Sequence, residues 1–244
     1  MLSFIVPAHN EERWIAKCLG SIRDAMEKIA EPYEVIVVDD ASTDTTHHIA
    51  EQMGARTLRV ELRLIAGVRN AGAREAKGDL FFFIDADTEA NEPAIRAALD
   101  ALRAGAAGGG CVPKFVGPMP LWARFVIRFA VFAARRVRLV GGAFQFCTRD
   151  AFHAIGGYDE SFTAGEDLAF CLAINKIGRF VVPGPAVVTS ARKLSVVSPW
   201  QVISLLITIT IRGPRYNSPW VHDILYGDRA QAARESRDHT ESAL

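Results

Sequence analysis

Two carboxylates two positions apart, Asp85 and Asp87, stand at the end of the apolar run Leu80-Phe81-Phe82-Phe83-Ile84. A run that oily reads as a strand buried on both faces of a parallel sheet. Open α/β sheets place their ligands at the C-terminal ends of such strands. On an extended backbone, residues two apart point to the same side, so both carboxylates can face one site. There they repel each other unless a positive charge lies between or beside them. A hard divalent cation already carrying a phosphate group meets that need. The spacing therefore points to an enzyme acting on a nucleotide diphosphate.

More acids gather at what should be the same edge. Pro7-Ala8-His9-Asn10-Glu11-Glu12 follows the first apolar run, and Asp39-Asp40-Ala41-Ser42-Thr43-Asp44 follows the second. Each cluster alone fits a helix cap or an Asx turn, with Asn10 or Asp44 as the capping residue and acids favoured in a first helical turn. Caps need one acid each, whereas three strands here deliver several to one edge. Further on, Gly165-Glu166-Asp167 introduces an apolar helix. Acids are stabilised at a helix N-terminus in any case, so that motif has a structural reading as well.

The elements that would position these groups alternate through the first half. Residues 2–6, 35–38, 56–61 and 80–84 read as strands. Trp14, Cys18, Leu19, Ile22, Met26 and Ile29 form one helical stripe after the first strand. A helix from about Asp44 ends before Gly54, and a short one lies around residues 70–76. A third, capped by Asn91 with Pro93 in its first turn, stops at Gly105. Continuous oily strands alternating with helices predict an α/β fold, a doubly wound, mostly parallel sheet flanked by helices. After Gly108 the pattern becomes less regular. Residues 111–116 and 143–147 read as strands, a long basic and apolar helix starts at Leu121, and another starts near Glu166. Residues 1–226 read as one domain, with 1–105 as its nucleotide half and 106–226 as a half suited to binding a variable second substrate. Residues 227–244 read as a charged, loosely docked tail.

Composition sets the outer limits. The 244 residues are 50% apolar and 23% charged, ordinary for a globular chain with a sizeable core. Lys+Arg and Asp+Glu balance at 28 each, so no basic field argues for nucleic acid. Four scattered cysteines form no CxxC pair and no zinc spacing, which favours a reduced, cytoplasmic setting. The first strand begins at once, leaving no room for a signal peptide. No segment reaches the roughly 18 to 20 apolar residues of a bilayer span.

The ordered set FIVPAHNEE, VIVVDDASTD, RNAGAREAKGDLFFFIDADT and GGAFQFCTRDAFHAIGGYDESFTAGEDLAFCLAINKIG is more specific than any of its parts. In order and spacing, over residues 2 to about 180, it resembles the family-2 glycosyltransferases with the nucleotide-sugar-binding GT-A fold. The resemblance implies that Asp40, with Asp39 beside it, accepts hydrogen bonds from the nucleotide base. Pro7, Asn10 and Glu11 would border base and ribose, and Arg69 and Asn70 would lie near base or diphosphate. Asp87 would bind Mg2+ or Mn2+, with Asp85 holding ribose or assisting the metal. Asp167 would be the general base of an inverting displacement, and Glu166 would orient the acceptor. Gly142 would allow close approach of backbone to sugar or acceptor, and the Gly156-Gly157-Tyr158-Asp159 turn would lie beside it. Arg192, with Lys193, offers cations for the leaving diphosphate. None of the six histidines has a partner at ligand spacing; His222 is a metal ligand only by analogy.

Residues 121–140 carry Arg124, Arg128, Arg135 and Arg138 near one helical face, with Trp122, Phe125, Phe129 and Phe132 elsewhere. With a second apolar segment at 200–211, that suits a helix pair at a membrane surface and a lipid-linked acceptor at its inner face. The alternative is a core helix whose arginines snorkel to water. A sugar-phosphate nucleotidyltransferase would be expected to have a glycine-rich, basic loop after its first strand. The PAHNEE segment has neither glycine nor cation. A non-catalytic relative is disfavoured by the presence of Asp40, Asp85, Asp87 and Asp167.

Overall fold

The structure, a computed structural model, describes residues 1–116, 128, 131–132, 134–162 and 165–190. The chain begins β1 (Leu2–Ala8), α1 (Ile15–Ile29), β2 (Tyr33–Asp40), α2 (Thr46–Gln52), β3 (Arg56–Val60), α3 (Ile65–Glu75) and β4 (Leu80–Ile84). It continues through β5 (Thr88–Glu89), α4 (Glu92–Arg103), β6 (Gly108–Gly110) and β7 (Pro113–Val116). The second half adds β8 (Phe144–Thr148), α5 (Arg149–Ala154), α6 (Glu166–Ile177), β9 (Phe180–Val181) and β10 (Val187–Ser190).

Seven strands form the main sheet in the order β3-β2-β1-β4-β8-β6-β9. β1, β2, β3 and β4 are mutually parallel, and β6 pairs parallel with β9. β8 runs antiparallel to both β4 and β6. The expected mostly parallel sheet is therefore present, with one reversed strand near its middle. A small second sheet joins β5, β10 and β7.

Both faces of the main sheet are covered, which is why its strands are continuously apolar. Phe4, Val6, Phe82, Ile84, Phe144 and Phe146 pack with Ile15, Cys18 and Ile22 of α1 and Ile95 and Leu99 of α4. Ile5, Ile36, Val38, Phe81 and Phe83 face the other way, onto α3 and α6. Phe82 stacks on Phe4 at 5.0 Å, while Phe83 meets the Tyr158 ring edge-on at 5.0 Å. Full burial of one such side chain contributes about 1.5–3 kcal/mol.

Asn91 caps α4 as its position implies, its side chain accepting from the Ala94 N–H at 3.0 Å. Other boundaries differ from the sequence reading. Asn10 caps nothing: it sits at φ 52° and α1 starts five residues later. Its Oδ1 instead accepts from the Thr43 N–H at 2.8 Å, tying the loop after β1 to the loop after β2. Asp44 lies just ahead of α2 and binds the Thr46 N–H at 3.0 Å. α3 begins at Ile65 rather than near Asn70, because Gly67, Arg69 and Asn70 hide its apolar stripe. The strand expected at 111–116 is β7, in the small sheet, and β6 before it, in the main sheet, was not anticipated. β6 is three glycines; a Cβ on Gly109 would overlap the Val181 carbonyl and the Phe146 ring, so only bare backbone fits there. Residues 128, 131–132 and 134–137 are helical, within the long helix expected there. Arg192, Lys193, His222, the 200–211 segment and the 227–244 tail lie outside the described residues.

Candidate active site

Three strand ends and one helix N-terminus enclose a cleft at the C-terminal edge of the main sheet. Pro7, Ala8, His9 and Glu11 line it from the end of β1 and the loop beyond, Asp40 from β2, and Asp85, Ala86 and Asp87 from the loop after β4. Ile65, Val68 and Arg69 of α3 form one side, and Gly142, Gly165, Glu166 and Asp167 close the other. The two DxD carboxylates reach the cleft differently from expectation. β4 ends at Ile84, and the Thr88 N–H donates to the Asp85 carbonyl at 2.9 Å. A turn, not strand alternation, thus presents both.

Arg69 is the centre of the charge arrangement. It is only 2% exposed, too buried for a surface ion pair. Its Nη1 donates to Glu166 Oε1 at 2.9 Å, and its Nη2 donates to Asp85 Oδ1 at 3.0 Å and the Gly142 carbonyl at 3.3 Å. The guanidinium lies 5.1 Å from the centre of the Tyr158 ring, a cation–π distance. Burial opposes its charge, but Tyr158, Asp85, Glu166 and Asp167 outweigh that and hold the proton tightly. Arg69 Nε, also buried, has no hydrogen-bond partner.

Asp167 is held by backbone. The Gly142 N–H donates to its Oδ2 at 2.8 Å, and the Leu168 N–H to its Oδ1 at 2.7 Å. Burial raises its proton affinity; Arg69 and those two N–H groups lower it, and the net movement is upward. Glu166 moves up to about 7, through burial first and the neighbouring Asp167 charge second, with Arg69 opposing. A carboxylate moved toward neutrality is a better proton acceptor than an ordinary surface aspartate.

The remaining sequence candidates divide into lining and framework. Asp40 lines the cleft, and its Oδ1 accepts from the Leu62 and Arg63 N–H groups at 2.7 and 3.1 Å. Asp39 is fully buried beneath, its Oδ1 accepting from the Ser42 N–H at 3.0 Å. His47 Nδ1 approaches Asp39 Oδ2 to 3.3 Å, but neither atom makes an aligned hydrogen bond. Asn70 is spent on structure: it donates to the Tyr158 carbonyl at 2.8 Å and to Glu160 at 2.9 Å, and accepts from the Tyr158 N–H at 2.9 Å. His9 was missed as a lining residue; its Nδ1 lies 2.7 Å from the Asp40 carbonyl and its Nε2 3.2 Å from Arg63 Nη1. The buried Gln145 was also missed, although a lone amide within Ala143-Phe144-Gln145-Phe146-Cys147 was a legible signal.

Asp85 and Asp87 are the groups suited to a divalent cation. Among the described residues no cluster of three or more His, Cys, Asp or Glu could hold a metal alone. Cys18 lies below, but burial and then the charges of Asp87, Asp85, Glu11 and Glu89 push its thiol far up, so it stays protonated. Two hard carboxylates fit Mg2+ or Mn2+ completed by water and substrate phosphate.

The family profile described as Glycosyl transferase family 2 matches residues 3–153. The chain belongs to that family. Among curated members, it is 32% identical over 95 residues to an undecaprenyl-phosphate 4-deoxy-4-formamido-L-arabinose transferase of Serratia proteamaculans, covering 36% of this chain and 29% of that protein. Over 100 residues it is 34% identical to the poly(ribitol-phosphate) beta-N-acetylglucosaminyltransferase TarS of Staphylococcus aureus, covering 38% of this chain and 17% of TarS. The match thus spans less than a third of either relative's length. In three dimensions, a mannosyltransferase of Pyrobaculum calidifontis in complex with GDP-Man and Mn2+ aligns with a TM-score of 0.64 at 20% identity, covering 100% of this chain and 79% of that one. TarS 1–349 in complex with UDP-GlcNAc gives 0.62 at 22%, covering 92% and 70%. The fold is GT-A-like.

Proposed function

We propose that this domain is an inverting glycosyltransferase, moving a sugar from a nucleotide-diphosphate sugar to an acceptor hydroxyl or a lipid-linked phosphate. The observation that carries the reading is one cleft lined by Asp40, Asp85 and Asp87 on the sheet side and by Asp167 on the helix side. Asp40 suits the nucleotide base, since Oδ1 is fixed by two N–H groups and the carboxylate cannot swing away. Asp87, helped by Asp85, would hold Mg2+ or Mn2+, which when bound stabilises charge on the departing diphosphate. Asp167, anchored by Gly142 and Leu168, takes the proton from the acceptor hydroxyl. The acceptor oxygen then bonds the anomeric carbon as that carbon's bond to the diphosphate breaks. One displacement inverts the centre, so no carboxylate nucleophile is needed. Removing the proton through a positioned base typically contributes about 10²–10⁴-fold.

The names of similar proteins support the substrate classes: UDP-GlcNAc and GDP-Man as donors, an undecaprenyl phosphate or a ribitol-phosphate polymer as acceptor. Contact with the cytoplasmic membrane surface fits the exposed Arg128, Arg135 and Arg136 beside Phe132, which is 64% exposed. Among the described residues, no helix is long and apolar enough to cross a membrane.

The deciding experiment is thermal shift with UDP-GlcNAc and GDP-Man, with and without Mn2+, followed by nucleotide release. A matching donor at a hundredfold excess over Kd should stabilise by about 2.7 kcal/mol. Asp87→Ala should lose the Mn2+-dependent part of the shift. Asp167→Asn should keep the shift and release no nucleotide; near-normal turnover by that variant would remove the base assignment.

A further inference from the structure

Gln145 is fully buried in the reversed strand β8, flanked by Phe144 and Phe146. A buried amide is costly unless its polar atoms are satisfied. Its Nε2 donates to the Asp167 carbonyl at 3.0 Å, lies 3.3 Å from Cys171 Sγ and reaches the Val140 carbonyl at 3.5 Å. Its Oε1 accepts from the Tyr158 hydroxyl at 2.8 Å. Burial keeps the Tyr158 phenol protonated, so the hydroxyl serves as donor and fixes which end of the amide faces α6.

These contacts meet Asp167 from two directions. The amide holds the carbonyl of Asp167, and through Val140 it braces the short segment whose Gly142 N–H holds Asp167 Oδ2. Gly142 is clasped from the other side by Arg69, and the Arg69 guanidinium lies over the same Tyr158 ring. We propose that Gln145, oriented by the Tyr158 hydroxyl, is a positioning residue that sets the place of the Asp167 carboxylate. This rests on the reading of Asp167 as the base and adds residues that touch neither donor nor acceptor. The charged groups around Asp167 are Arg69 from α3, Asp85 beyond β4 and Glu166 on its own helix, with Cys171 nearby on that helix and the Tyr158 ring beneath Arg69. Those charges remain when the amide or the phenol oxygen is removed, so such variants isolate position from charge.

The test uses Tyr158→Phe, which keeps the ring beneath Arg69, and Gln145→Met, which keeps the volume. Carboxyl 13C NMR follows the Asp167 titration, its signal assigned by its loss in Asp167→Asn. Nucleotide release from UDP-GlcNAc and GDP-Man with Mn2+ follows turnover. Loosening the Gly142 N–H should move the Asp167 titration upward by about half a pH unit or more. It should lower kcat about three- to tenfold, the scale of one hydrogen bond, with donor binding within twofold of wild type. An Asp167 titration unmoved in Tyr158→Phe overturns the proposal, and that variant decides alone where Gln145→Met does not fold. Normal turnover by Asp167→Asn would instead defeat the base reading, while the titration would still report whether Gln145 positions Asp167.

Discussion

Glu166→Gln should change how stability depends on pH, in a direction fixed by the site. Glu166 is 7% exposed, and burial with the adjacent Asp167 charge lifts it from 4.5 to about 7 despite Arg69. Between those two values the folded chain holds a proton that the unfolded chain has released. Stability contributed by the protonated form is fully present below pH 4.5 and is lost as pH rises through 7. The span is 2.5 pH units, the difference between 7 and 4.5, and at 1.36 kcal/mol per unit this is about 3 kcal/mol. Glutamine cannot ionise and has no such loss. Its removal of a negative neighbour also lowers the proton affinity of Asp167, which flattens the profile further. Urea unfolding of both proteins with chelator present, at intervals from pH 4.5 to 8, gives the two free-energy curves. The unfolding free energy of Glu166→Gln relative to wild type should climb by about 3 kcal/mol across the window, then level off. A difference that stays flat, or that falls with rising pH, would refute the reasoning.

Two further substitutions separate lining from framework. Gly142→Ala places a Cβ against the Arg69 guanidinium, so it should cost about 1–3 kcal/mol in urea unfolding and abolish nucleotide release. Asn70→Ala leaves both the N–H and the carbonyl of Tyr158 without their side-chain partner, which should cost about 2–4 kcal/mol. Donor binding by calorimetry should survive Asn70→Ala, because Asn70 is not among the groups lining the cleft.

The sheet side of the cleft was legible because its acids lie directly at strand ends. Apolar runs at 2–6, 35–38 and 80–84 mark where the sheet stops, and the acids that follow mark the edge that lines the cleft. What escaped was set by packing rather than by pattern. Gly108–Gly110 has no side-chain period, yet the approach of Phe146 and Val181 makes it a strand. Arg69 and Asn70 read as donor-side residues, and helical periodicity could not reveal their partners 97 and 90 residues away, at Glu166 and Glu160. The same holds for Gln145: its apolar neighbours predict burial, but only the fold brings Tyr158 and Asp167 to its amide.

The reversed strand is what lets the second half of the chain complete a site begun by the first. In a parallel sheet every strand arrives at the ligand edge and leaves it through a helix, so each contributes only the residues after its C-terminus. β8 enters the sheet from that edge instead: Phe144, its first residue, pairs with Ile84, the last of β4. The residues before β8 therefore stand beside the residues after β4, and the Asp85 N–H donates to the Ala143 carbonyl at 3.2 Å. This juxtaposition brings the Gly142 N–H to Asp167 and the Gly142 carbonyl to Arg69, which also holds Asp85. With β8 parallel to β4, Gly142 would sit at the far edge of the sheet, and Asp167 would lose the backbone donor that orients it. The antiparallel pairing in a mostly parallel sheet thus links Asp85 to Asp167 through one buried arginine and Gly142.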